Sequence, residues 1–156
     1  MERPEIRIGT SSFSEADWVG PFYPSGTRPA DFLRYYTTQF STVEIDASYY
    51  AVPSIRTVER WREICPPHFI LSAKFPRTIV HGGDTATPNA SLVLNPEKTY
   101  SIRDQFLESM SRLGSNLGPL VLQFHGPGRS PCSHASSSGR RKSVSRSHTC
   151  RDRHLR

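Results

Sequence analysis

Apolar positions along the first 124 residues recur with two alternating periods, and each change of period marks an element. Ile6 to Thr10 is a short run ending near Gly9 and reads as a first strand. A connection rich in Pro and Gly (Pro21, Pro24, Gly26, Pro29) leads to A-D-F-L-R-Y-Y-T-T-Q-F, where Phe32, Leu33, Tyr36 and Phe40 fall at helical spacing. Pro29 stands where a helix tolerates proline, at its start. T-V-E-I-D then alternates β-branched residues with carboxylates and predicts a second strand. Ser54 is placed to cap a helix carrying Ile55, Val58, Trp61 and Ile64, which Pro66-Pro67 ends.

F-I-L-S-A-K-F predicts the third strand, followed by a long polar connection from Pro76 to about Tyr100, a length that in compact domains goes with function or mobility. Ser101 with Asp104 predicts the cap of a helix bearing Ile102, Phe106, Leu107, Met110 and Leu113 and closed by Gly114. G-P-L-V-L-Q-F is the fourth strand. The order β-α-β-α-β-α-β without a hairpin signal implies parallel strands joined by crossovers, as in a doubly wound sheet or a (β/α) barrel.

Side chains alternate faces along a strand. Val43 and Ile45, then Leu71, Ala73 and Phe75, then Leu120, Leu122 and Phe124 suit a helix-covered face. The opposite parity, toward the carboxyl ends of the strands, carries Glu44, Asp46, Lys74 and Gln123. Carboxyl ends are where α/β barrels and open α/β sheets bind ligands. Two readings of this set stand side by side. Glu44 and Lys74 on neighbouring strands make an ion pair that neutralises two otherwise costly charges. Alternatively, a lysine accessible beside carboxylates binds an anionic group, forms a Schiff base or moves protons.

Composition changes abruptly after Phe124. Residues 125–156 contain no Phe, Tyr, Trp, Ile or Met, and only Val144 and Leu155 as sizeable aliphatics. Such a segment buries too little apolar surface to offset the entropy of ordering it, so a disordered tail is expected over 125–156 after a folded body over 1–124. The tail also holds eight Lys and Arg against Asp152 alone, which leaves the body with twelve Lys and Arg against thirteen Asp and Glu. The formal charge of +6 is therefore a property of the tail, and the body gives no hint of a nucleic-acid partner.

R-R-K-S-V-S-R-S within the tail offers the one route to nucleic acid, through charge, but lacks the interleaved aromatics on which bases stack. Cys132, His134, His148 and Cys150 are spaced unlike common zinc sites, so no metal is assigned and no cofactor is identified. The absence of a C-x-x-C pair agrees with a reducing compartment, and Cys65 is given an apolar packing role. No run approaches the roughly 18 apolar residues of a membrane span. The first residues, M-E-R-P-E-I-R-I-G, include no apolar stretch of signal-peptide length. A cytoplasmic location without membrane contact is the expectation.

The stretches I-R-I-G-T-S-S-F, D-W-V-G-P-F-Y-P, L-R-Y-Y, V-E-I-D-A-S-Y-Y-A-V-P, R-W, P-P-H-F, L-S-A-K-F-P-R-T-I-V-H and L-G-P-L-V-L-Q-F occur in this order between Ile6 and Phe124. Together they resemble the domain of unknown function 72 family, also called YecE-like. The resemblance implies a TIM-type (β/α) barrel of uncharacterised activity. The family's recurring features fall on Gly9, Thr10 and Ser11, on Trp18, Gly20, Phe22, Tyr23 and Pro24, on Glu44 and Tyr50, on Lys74 and His81, and on Gln123. Four positions depart from the family pattern. Ser12 and Phe13 replace the G-W of G-T-S-G-W, Asp46 stands where Asn is frequent, and Val80 stands where Thr usually precedes the histidine.

From pattern and resemblance together, Glu44, Lys74 and His81 are the candidate catalytic groups, and Thr10, Ser11, Trp18, Tyr23, Asp46, Tyr50 and Gln123 the candidate ligand contacts. His81, expected in a Gly-rich loop, suits acid/base work or ligand contact. Trp18, Phe22 and Tyr23 suit an aromatic wall or ordinary packing. A small polar or anionic ligand is the expected partner. Gly82-Gly83 is not a phosphate loop, because no G-K-[ST] follows.

A closed barrel needs eight β/α units and typically about 250 residues, whereas four strands are predicted here. The expectation is therefore an incomplete half-barrel, inactive by itself and prone to self-association through exposed strand edges. The tail's mixture of Arg, Ser, His, Pro and Gly resembles GC-rich coding DNA read out of frame, so a frameshift or mispredicted gene end near codon 125 is expected. A non-catalytic scaffold is the competing function.

Overall fold

The structure, a computed structural model, describes residues 5–85 and 87–124. Expectations that fall on 125–156, the disordered tail, its frame and its nucleic-acid and metal readings, lie outside the described residues. Four α-helices and three strands follow one another within them: α1 (Phe32–Gln39), β1 (Thr42–Ile45), α2 (Ile55–Ile64), β2 (Ile70–Lys74), α3 (Arg77–His81), α4 (Pro96–Ser111) and β3 (Leu117–Val121). The strands form a parallel sheet in the order β1-β2-β3, with Glu44 opposite Ser72 and Lys74 opposite Val121.

Strand parity builds the core. Val43 and Ile45 in β1, and Leu71 and Ala73 in β2, are buried together with Phe32, Leu33 and Tyr36 of α1, Val58 of α2 and Phe106 and Met110 of α4. Each large side chain buried this way contributes roughly 1.5–3 kcal/mol against leaving it in water. Cys65 joins this core, and burial pushes its thiol pKa up to about 12. The helix boundaries expected around α1 and α2 are met. A short 3-10 turn beginning at Pro29 opens α1, and Ser54 Oγ accepts from Thr57 N at 3.2 Å to cap α2.

The first predicted strand is corrected. Residues 6–10 are not a strand, and only the bridge Ser11↔Glu44 pairs this segment with β1. Two backbone bonds make that bridge, Glu44 N to Thr10 O at 3.0 Å and Ser12 N to Glu44 O at 2.9 Å. Ile6 and Ile8 are exposed, so no packing extends the pairing toward the amino terminus. The close approach at Gly9 is nevertheless obligatory, because a Cβ there would lie 2.0 Å from Thr42 O.

The connection after β2 and the last strand also differ from expectation. The stretch read as a polar connection from Pro76 to Tyr100 contains α3 and the first turn of α4. Asn95 caps α4, its side chain accepting from Lys98 N at 3.3 Å, in place of Ser101. Pro96 at the first position needs no amide partner, so the helix starts where proline is tolerated. β3 ends at Val121, earlier than the pattern suggested. A register irregularity opposite Leu71–Ala73 accommodates Gly118 and Pro119, and Leu117 and Leu120 pack on the core. Leu122 and Phe124, assigned by parity to the covered face, lie beyond the strand and are exposed.

Candidate functional site

At the carboxyl ends of β1 and β2 the sheet gathers its charged side chains. Lys74 Nζ donates to Asp46 Oδ1 at 2.7 Å and lies 3.2 Å from Glu44 Oε1. Ser11 Oγ donates to the same Glu44 oxygen at 2.8 Å. The lysine side chain is 16% exposed and the two carboxylates 27% and 37%, so the cluster sits at a rim, neither sealed nor fully solvated. The hydrogen bond to Asp46 is the main cause that holds the Lys74 ammonium above its ordinary pKa. Glu44 adds to it, and burial pulls the other way.

Local structure explains how these groups meet. Past β1 the chain turns in a short 3-10 segment, Asp46–Tyr49, which brings Asp46 back over the end of β2. Ser48 is fully buried there, and its Oγ lies 2.7 Å from Ile45 O and 2.8 Å from Lys74 O, which ties the ends of the two strands together. The same turn presents Tyr49, whose hydroxyl is 2.9 Å from His81 Nε2. His81 is buried at the end of α3, where Gly82 in the left-handed region (φ 72°) closes the helix, instead of in a loop. Its Nδ1 lies 3.1 Å from Thr85 O; a carbonyl only accepts, so Nδ1 carries the proton, and in the neutral ring Nε2 accepts from Tyr49. Burial raises the Tyr49 pKa, and the Arg77 charge is the strongest influence lowering it, followed among charges that lower it by Lys74.

Of the residues expected from sequence, Ser11, Glu44, Asp46 and Lys74 form one hydrogen-bonded cluster. Thr10 serves the backbone: its amide donates to Tyr36 Oη at 2.7 Å and its hydroxyl donates to Ser12 O at 2.6 Å. His81 joins the neighbourhood through Tyr49. Tyr50 is exposed, edge-on to Tyr49. Gln123 is exposed beyond β3, and among the described residues no hydrogen bond joins it to the cluster.

Trp18 and Tyr23 are placed elsewhere. Tyr23 is fully buried, stacked on Phe32 at 4.3 Å, with its hydroxyl donating to Phe13 O. Burial, with a contribution from Tyr36, pushes its pKa up to about 12. Trp18 packs edge-on against Phe22 and beside Tyr23. Tyr23 thus belongs to the core, and Trp18 and Phe22 are partly buried against it.

Ser48, Tyr49 and Arg77 were missed by the sequence reading. The signal for Arg77 was its position three residues past Lys74, immediately after Pro76. A shallow groove of about 320 Å³ runs beside the cluster, lined by Thr10, Ser11, Thr42, Val43, Glu44 and Ser72 among others. Among the described residues no group of three or more His, Cys, Asp or Glu is placed to hold a metal ion, and no helix is long and apolar enough to cross a membrane.

Comparison with known proteins places this geometry. The model of the family described as "Protein of unknown function DUF72" matches residues 7–135, which runs past Phe124. The UPF0759 protein YecE of Escherichia coli K12 is 31% identical over 119 residues, covering 76% of this chain and 37% of the relative. The chain thus spans a little over a third of the length of the curated relatives it matches. Among solved structures, a DUF72 family protein from Enterococcus faecalis V583 is similar with a TM-score of 0.57 and 28% identity, over 78% of this chain and 40% of that one. One from Thermotoga maritima MSB8 gives 0.56 and 29%, over 76% and 44%. With the motifs in order along an α/β fold of parallel strands, and a family match over most of its length, the chain belongs to the DUF72 family.

Proposed function

We propose that the cluster at the carboxyl ends of β1 and β2 is one wall of a binding site for a small polar molecule, and that the strands are one arc of a TIM-type (β/α) barrel. The body, 1–124, supplies this arc. Further strands complete the pocket in the whole protein, and this arc alone binds weakly and does not turn over substrate.

Unspent hydrogen-bonding capacity carries this reading. Among the described residues, Glu44 and Asp46 each use one carboxylate oxygen, Oε1 and Oδ1, while Oε2 and Oδ2 have no partner. Lys74 uses two of its three N–H donors in the same contacts. Oε2 and Oδ2 are not buried, since Arg77 Nε is the one buried unpartnered side-chain atom among the described residues, so they are open to the donors of a ligand that displaces water there. Acceptors beside a donor on a half-exposed rim suit a ligand with hydroxyl or amine groups. His81, reached through Tyr49, is the candidate proton carrier of the same site.

The test is ligand-induced stabilisation. Wild-type chain and Lys74→Met are titrated with neutral polyols (glycerol, D-ribose, D-glucose) and thermal unfolding is followed. Saturable stabilisation of the wild type that disappears in a folded Lys74→Met supports the site. A Lys74→Met chain that is more stable than wild type and responds to the polyols unchanged would instead identify a structural ion pair on a non-catalytic scaffold.

A further inference from the structure

Three charged groups of the rim are accounted for by one another, and a fourth is not. Lys74 is held by Asp46 and Glu44. Arg77, the first residue of α3 and three positions beyond Lys74, makes no side-chain hydrogen bond or ion pair among the described residues, and its Nε is buried without a partner. That atom is a donor removed from water and left unmet, an arrangement that folded proteins rarely keep without a reason. Arg77 belongs to the same neighbourhood: it opens the five-residue helix α3 three positions past Lys74, and that helix ends at His81, whose Nε2 lies 2.9 Å from the Tyr49 hydroxyl.

Charge then separates the roles of the two cations. With its two carboxylates, Lys74 leaves the cluster one negative charge in excess, which repels an anion brought to the lysine. Arg77 restores neutrality and keeps its fork of donors. A guanidinium matches the paired oxygens of a carboxylate or phosphate, whereas an ammonium acts as a point charge.

We infer that Arg77 is the anion-recognition residue of this site, so that the polar molecule bound there carries a phosphate or carboxylate group, which Arg77 grips while Glu44 and Asp46 receive its hydroxyl or amine donors. The inference rests on the polar-site reading above and adds the charge of the ligand and the residue that reads it. Its consequence for specificity is direct: a neutral analogue of the ligand loses the Arg77 contact and keeps the carboxylate contacts.

The readout has to be residue-specific, because eight Lys and Arg beyond Phe124 also attract anions. In the full chain labelled with nitrogen-15, the Nε–Hε signal of Arg77 is assigned by its loss in Arg77→Lys. It is then followed during titration with inorganic phosphate in one arm and acetate in the other, chloride being withdrawn to hold ionic strength constant. Saturable movement of that signal with slower exchange of its proton is expected, and the stronger arm tells which group the site prefers. Arg77→Gln should weaken the saturable binding at least tenfold, as seen on the Tyr49 and His81 signals. Arg77→Lys should weaken it less, because it keeps the charge and loses the fork.

A signal that moves only with ionic strength, or an Arg77→Gln chain that binds either anion like wild type, overturns the inference. Neutral polyols keep the two readings apart. Polyol binding that depends on Lys74 while neither anion engages Arg77 leaves the polar site standing and the anion inference refuted; anion binding at Arg77 without polyol binding does the reverse. Should Arg77→Gln fail to fold, the wild-type titration and Arg77→Lys still decide.

Discussion

Replacing Tyr36 by Phe removes one oxygen atom and tests how the amino-terminal segment is held against β1. The ring itself stays packed: Tyr36 is fully buried, with Phe40 at 4.9 Å and Phe69 at 6.2 Å between centroids. Its hydroxyl accepts from Thr10 N at 2.7 Å, and Thr42 O at 3.2 Å and Thr10 Oγ1 at 2.9 Å are the two available partners for its single proton. Because Thr10 Oγ1 gives its own proton to Ser12 O, it can only accept from Tyr36. The substitution therefore deletes one accepted and one donated bond and leaves the half-buried Thr10 amide unmet. Each net bond contributes about 1 kcal/mol and an unsatisfied buried donor costs 1–3, so a loss of about 2 kcal/mol is expected. At about 4 °C per kcal/mol for a domain of this size, the melting temperature falls by about 8 °C. Urea unfolding followed by the fluorescence of Trp18 and Trp61 should show a lower midpoint with an unchanged slope, and hydrogen exchange at Thr10 should accelerate. A loss under about 0.5 kcal/mol with Thr10 still protected would refute the role given to this hydroxyl.

Three further outcomes are expected. Gly9→Ala places a Cβ 2.0 Å from Thr42 O, so it should detach the segment before Ser11 and expose Glu44; limited proteolysis within 5–12 that is no faster than in wild type would contradict this. The Lys74 ammonium has a pKa raised chiefly by Asp46, so its contribution to stability is fully present below the unfolded value of about 10.4 and is lost as pH rises through the folded value. The stability of wild type relative to Lys74→Met should therefore be flat from pH 7 to about 10 and fall above it, and a fall already complete by pH 9 would contradict the assignment. Ile6 (84% exposed), Ile8 (69%), Leu122 (44%) and Phe124 (51%) offer apolar surface at the two sides of the sheet. We expect self-association that Ile8→Lys with Phe124→Glu suppresses, and a single monomeric species in sedimentation velocity across a hundredfold concentration range would exclude it.

Periodicity was a good guide where burial decides structure and a poor one where it does not. Phe32, Leu33 and Tyr36 recur at helical spacing because one face of α1 meets the sheet, and the alternation through Val43, Ile45, Leu71 and Ala73 is read directly from which side the helices cover. Ile6 and Ile8 imitate the same signal without a partner layer, so a strand pattern there ends as a single bridge. At the other side, Leu122 and Phe124 continue the alternation after the register irregularity at Gly118 and Pro119, where the sheet no longer follows it. The start of α4 was misplaced for a related reason. Ser101 has the chemistry of a cap, but Asn95-Pro96 has it too and comes earlier, and the turn it opens buries Thr99.

The polar site divides along the same line. Glu44 and Lys74 lie within regular strands, so parity alone put them on one face, and the distance between neighbouring strands put them within reach of each other. Asp46, which parity also named, opens the 3-10 turn just past β1, and Tyr49, Arg77 and His81 lie on that turn and on a five-residue helix that no period announces. Sequence therefore named Tyr50 where the turn presents Tyr49, and named the lysine but not the arginine. In chemical terms, the parity-determined half of the cluster holds a lysine with two of its three donors engaged by carboxylates, and the half fixed by the turns holds a cation whose side chain has no partner among the described residues. If carboxyl-end sites in such folds generally put their uncommitted groups on the segments beyond the strands, then the residues that choose a ligand are those least visible to periodicity, and Arg77 is the position at which this chain tests that.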